Sequence, residues 1–106
     1  MPEQLRPVLD DLRVHLAGIY GERFAGLWLY GSQARGEGSP ESDVDLLLFL
    51  DHAEEPASEI DNLTPLLAEI NLRSGTLFSI LPVTTREFNE ARGPFWTTVR
   101  REGVAA

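Results

Sequence analysis

Two aspartates stand at the head of a stretch that otherwise has to be buried. Residues 43–50 read DVDLLLFL, a run with the length and composition of a core strand. A carboxylate in apolar surroundings costs several kcal/mol unless something neutralises it. Any fold open to this chain must bury that strand and still give Asp43 and Asp45 a partner.

Strand geometry narrows the choice. Side chains at i and i+2 point to the same side. Asp43 and Asp45 therefore share a face, about 7 Å apart along the chain. Val44, Leu46 and Leu48 point the other way, into the core. Like charges that close raise each other's pKa, and a cation between them removes the conflict. Mg²⁺ prefers one or two carboxylates completed by phosphate oxygens and water. The pair thus suits an incomplete metal site that a nucleotide finishes.

The preceding segment supplies a place for phosphate. Residues 24–30, FAGLWLY, form a short buried strand that ends at Gly31-Ser32. Gly31 has no side chain, so a phosphate can approach its backbone closely. If Ser32 opens a helical turn over SQAR, its hydroxyl and the N–H groups there make an anion site. Arg35, one turn on, is placed to contact phosphate or to hold the loop by pairing with Asp43. GEGSPES, residues 36–42, is a loop by composition.

Around this centre the pattern predicts helices. Leu5, Val8, Leu9, Leu12, Leu16 and Ile19 recur at helical spacing over 5–20, with Pro7 tolerated near the start and Gly21 as the stop. His15 flanks that stripe and has no second ligand at metal spacing. After an exposed connection from Asp51, a helix capped by Ser58 with Asp61 is interrupted at Pro65. Thr64 then caps a fresh helix through Ile70, ended by Gly75. TLFSILPV, residues 76–83, is a third strand, and Pro82 places its end at a sheet edge. Thr84 and Glu87 form a capping box for a short helix to about Arg92. A Gly93-Pro94 break and a last helix through Arg101 follow. The expected fold class is a small α/β (α+β) layer protein, a three-stranded mixed sheet flanked by helices.

Composition sets the bounds. At 106 residues the chain is expected to be one domain, 1–106. There is no cysteine, hence neither a disulfide nor a thiolate metal site. No basic-then-apolar N-terminal signal is visible, and no apolar run nears the roughly 20 residues that span a bilayer. A cytoplasmic protein with no membrane association is expected. The net charge is −8 and all nine cations are Arg. That disfavours a direct grip on nucleic acid, which needs clustered cations, and favours a metal cation as partner.

The segment GSQARGEGSPESDVDLLL resembles the signature of the nucleotidyltransferase superfamily typified by DNA polymerase β, and in particular the small prokaryotic minimal nucleotidyltransferases. Gly31, Ser32, Ala34, Arg35, Gly36, Ser42, Asp43, Asp45 and Leu46 occupy the signature positions. The resemblance implies that Asp43 and Asp45 are catalytic and hold Mg²⁺ on the phosphates of a nucleoside triphosphate, ATP in particular. It implies that Gly31, Ser32, Arg35 and Ser42 bind the nucleotide. An acceptor hydroxyl would attack the α-phosphorus in line and pyrophosphate would leave.

One position departs from that family. A third carboxylate normally lies on the next strand, where it binds a second metal and helps deprotonate the acceptor. Here TLFSILPV has none; Ser79 is its central polar residue, with Glu69 before it and Glu87 after it. At this length no acceptor-holding domain is expected in addition. The resemblance therefore implies a protein partner: such proteins often pair with small helical HEPN proteins as the antitoxin of a toxin–antitoxin system. Two further readings are a catalytically weakened homologue that neutralises its partner by binding alone, and a small-molecule nucleotidyltransferase. At the C-terminal end, Phe95 and Val99 are expected in the core, Trp96 at an interface, and Trp28 in the core or a pocket wall.

Overall fold

The structure, a computed structural model, describes residues 3–36, 43–52 and 55–106. Helix α1 (Arg6–Tyr20) leads to strand β1 (Phe24–Tyr30), and β2 (Val44–Leu50) follows. Then come α2 (Pro56–Ser74), β3 (Phe78–Thr84), α3 (Thr85–Glu90), α4 (Pro94–Glu102) and β4 (Val104–Ala105). The sheet order is β3-β2-β1-β4. β1 runs antiparallel to β2 and β4, and β2 runs parallel to β3. The expected mixed sheet flanked by helices is present, with four strands where the sequence pattern shows three. Pro82 lies on β3, the sheet edge.

Both faces of the sheet are covered. On one, Leu9, Leu12, Leu16 and Tyr20 of α1 and Leu63, Leu66 and Ile70 of α2 pack on Leu27 and Leu29 of β1 and on Val44, Leu46 and Leu48 of β2. Burying each of these leucines contributes roughly 1.5–3 kcal/mol. On the other face, Leu47, Val83 and Val99 are buried among Trp28, Tyr30, Phe49, Phe88 and Trp96. Strand alternation assigns Asp45 to this second face, in line with Leu47. Trp96, expected at an interface, packs partly buried against this second core. Phe95, expected inside, is 45% exposed. A helix this short points only one stripe inward, and Val99 takes it.

Two helices differ from the pattern's prediction. α2 is continuous through Pro65. Residue 65 is on the exposed side, and so is Asp61, whose carbonyl the proline cannot serve. Thr64 donates from its hydroxyl to the Ile60 carbonyl (3.0 Å) instead of capping a new helix. The start of α2 lies at Pro56, ahead of the expected Ser58 cap, because proline is preorganised for a first helical position. In α1, Ile19 is 43% exposed and Tyr20 takes the buried place. His15 is exposed, its Nδ1 2.9 Å from the Asp11 carbonyl. The Thr84/Glu87 capping box is present on both sides: Glu87 N–H donates to Thr84 Oγ1 (3.0 Å) and Thr84 N–H to Glu87 Oε1 (3.1 Å).

A buried ion pair locks the helical layer. Glu59 is 1% exposed and receives both Arg23 Nη atoms at 3.2 Å. Tyr20 donates to the Glu59 carbonyl (3.3 Å) beneath the Arg23 guanidinium. Burial, then the Glu59 charge, pushes the Tyr20 hydroxyl up to about 12, against the pull of Arg23. Among the described residues no helix is long and apolar enough to cross a membrane.

Candidate functional site

The site is assembled where β1 ends and β2 begins. Antiparallel pairing sets Tyr30 opposite Asp45, so the residue that leaves β1 arrives beside the acid. The chain then turns over at Gly31. Ala34 N–H and Arg35 N–H both donate to the Gly31 carbonyl (3.1 and 3.3 Å), which closes one helical turn over SQAR. Gly31 has φ +77°, and a Cβ there would stand 2.6 Å from Asp45 Oδ2. Glycine is needed twice over: for the left-handed backbone and for the carboxylate pressed against it.

Asp43 and Asp45 come together as the strand pattern requires. Asp43 lies just before β2 and is exposed; Asp45 is half-buried. Burial raises the Asp45 carboxyl above its usual range, and the Asp43 charge raises it further. The Tyr30 hydroxyl is raised too, by burial first and by the Asp45 charge second. These shifts describe two carboxylates crowded at a strand head with a phenol beside them. Their donor set fits a magnesium ion completed by phosphate and water. Among the described residues no cluster of three His, Cys, Asp or Glu forms a ready-made metal cage.

The neighbouring strand adds no acid. Parallel pairing sets Ser79 level with Asp45, and Leu81 level with Leu47. Ser79 is exposed. Glu87 caps α3 through Thr84 N–H and Glu69 lies 3.9 Å from Arg73.

Arg35 Nη1 lies 3.4 Å from Glu102 Oε2 at the end of α4, where the sequence suggested Asp43. Ser32 lies in the turn and is half-buried; Ser42 is outside the described residues. A cavity of about 310 Å³ opens beside the turn, lined by Tyr30, Gly31 and Arg35 on one side and by Pro94, Phe95, Thr98, Val99 and Glu102 of α4 on the other. Sequence reasoning missed the α4 wall. Tyr30 was legible, since it immediately precedes the turn on the strand paired with the acids. α4 reaches the site only through tertiary packing, fixed by Trp28 Nε1–H donating to the Val99 carbonyl (2.9 Å).

Comparisons with known proteins agree on what this arrangement is similar to. Residues 16–92 match the sequence model of a family described as a nucleotidyltransferase domain. A bifunctional uridylyltransferase/uridylyl-removing enzyme of Psychrobacter cryohalolentis is 41% identical over 69 residues, covering 61% of this chain and 8% of that enzyme. The chain therefore spans only a small part of that relative. A toxin–antitoxin structure solved with AMP-PNP has a TM-score of 0.60 at 13% identity, over 92% of this chain and 72% of that one. A mutant of the toxin–antitoxin MntA–HpeT has a TM-score of 0.60 at 10% identity, over 91% of this chain and 70% of that one. At these identities the two structures speak for the fold.

Proposed function

Because this chain belongs to the nucleotidyltransferase domain family, we propose that it is a single nucleotidyltransferase domain, 1–106, that moves AMP from ATP to a hydroxyl on a protein partner. The observation that carries this reading is the Asp45 carboxylate held against Gly31 with Asp43 beside it. One half of the arrangement suits a cation and the other an anion, and a metal–nucleotide complex is both.

In this reading Asp43 and Asp45 hold Mg²⁺. Gly31 presents its backbone, and Ser32 its hydroxyl, to the triphosphate; Arg35 and Ser42 add to the nucleotide's hold. The magnesium ion, when bound, neutralises phosphate charge and makes the α-phosphorus more electrophilic. A bond forms between the acceptor oxygen and the α-phosphorus, the bond to the bridging oxygen breaks, and pyrophosphate departs. With Ser79 level with Asp45 on β3, the acceptor proton passes to Asp45 or to water.

ATP is favoured as donor by the AMP-PNP in a structural neighbour, and the uridylyltransferase relative makes UTP the competitor to test. The toxin–antitoxin neighbours favour a protein partner; the resemblance of the signature segment extends this to a small helical HEPN-type partner, with this chain as the antitoxin working in the cytoplasm. A second reading rests on Ser79: a domain without an acid there neutralises its partner by binding alone.

Incubating the purified pair with ATP or UTP and Mg²⁺, followed by intact-mass measurement of the partner, separates the two. Transfer gives a mass gain of one nucleoside monophosphate, larger with ATP, and none with Asp43→Asn/Asp45→Asn. An unchanged partner mass, with tight association retained in that variant, removes the transfer reading and leaves binding alone.

A further inference from the structure

The cavity beside the phosphate turn has one wall that phosphate chemistry does not use. Gly31 and Arg35 form the side next to the turn, while Phe95, Thr98 and Glu102 face them from α4. Phe95 is 45% exposed, although Val99 one turn on finds a buried slot. Leaving a phenyl ring in water forfeits the burial gain of apolar surface. Its ring is nonetheless fixed. Tyr30 meets it at 5.7 Å and 84°, and Trp96 at 5.1 Å and 88°. Neither neighbour is stacked parallel on it. A ring held this way, at the mouth of a cavity, suits a flat partner. At about 310 Å³ the cavity lies at the small end of ligand sites. It has room for a ring system, not for a triphosphate as well.

The polar groups on the α4 wall can both accept a hydrogen bond. The Thr98 hydroxyl accepts or donates, and the Glu102 carboxylate, anchored by Arg35 at 3.4 Å, accepts only. An exocyclic amine on a heteroaromatic ring is the group they would satisfy. Arg35 joins the phosphate side to this wall, so one nucleotide can occupy both.

We propose that Phe95 is the stacking platform for an amine-bearing nucleobase of the bound nucleotide, with Thr98 and Glu102 reading the amine. This rests on the nucleotide reading above and adds the determinant of base choice. Adenine carries the amine; uracil does not.

Calorimetric titration in Mg²⁺ buffer with ATP, UTP and inorganic tripolyphosphate tests it on wild type, Phe95→Ala and Phe95→Tyr. Stacking on one aromatic ring is expected to contribute about tenfold in affinity. Phe95→Ala should weaken ATP by about that factor and leave tripolyphosphate within about twofold, while Phe95→Tyr keeps ATP affinity. Wild type should prefer ATP to UTP. Equal weakening of ATP and tripolyphosphate by Phe95→Ala, or weakening of neither, overturns the platform while leaving the phosphate site standing. If wild type binds none of the three, the nucleotide reading fails and the platform with it.

Discussion

To hold a metal ion as proposed, Asp45 has to be ionised in a place that opposes ionisation. Burial and Asp43 both raise its carboxyl in the folded protein. The sign of the consequence follows from linkage. Below the ordinary carboxylate pKa the group is protonated whether folded or unfolded, and it costs nothing. As pH rises through the raised folded value, the unfolded chain ionises more readily than the folded one, and stability is lost. Asp45→Asn should therefore melt a few degrees higher than wild type at pH 7, with the gap closing as pH falls below the ordinary carboxylate range. Mg²⁺ with ATP should raise the wild-type melting temperature and leave the variant's unmoved. Thermal melts across pH check this; a variant that melts lower at pH 7 contradicts it. At this scale the site was largely legible. Gly31 follows one apolar run and Asp45 stands at the head of the next, and both are close in sequence. Glu59 was not legible, because its Arg23 partner lies 36 residues away and an isolated glutamate in a helix looks solvated.

Among the elements, β3 carries the position nearest in register to the paired acids. Its parallel register places Ser79 level with Asp45, so an acid introduced there would join the pair. Ser79→Asp should raise the transfer rate by about 100-fold if removal of the acceptor proton limits turnover, the lower end of the usual range for a positioned general base. Rates at several pH values measure it. No gain in rate would mean that β3 is not where the reaction is held back. The strands around the site followed from the sequence: β1 forms over the predicted residues and β2 begins one residue late. β4 did not. Val104 and Ala105 carry no turn signal or alternation, and they become a strand only because α4 returns the chain to Trp28 and Leu29. α2 was read as two helices because Pro65 removes one hydrogen bond, a local cost that Leu63, Leu66 and Ile70 outweigh through burial.

For the molecule as a whole, the sheet separates two tasks. One face carries a leucine-rich core under α1 and α2, and the other carries an aromatic core that ends at the acids. α4 closes the second face through the Trp28–Val99 hydrogen bond. Gly103 makes that closure possible, since a Cβ there would overlap the Trp28 indole nitrogen. With a net charge of −8, the protein repels a bare polyphosphate over most of its surface. Binding then has to depend on the metal. Calorimetric titration of ATP into wild type and into Asp43→Asn/Asp45→Asn, each with Mg²⁺ and with chelator, examines that dependence directly. The expected result is saturable binding to wild type in Mg²⁺ alone, with the other three titrations at least about tenfold weaker. Equal affinity with and without the metal, or in the absence of both carboxylates, would contradict the account.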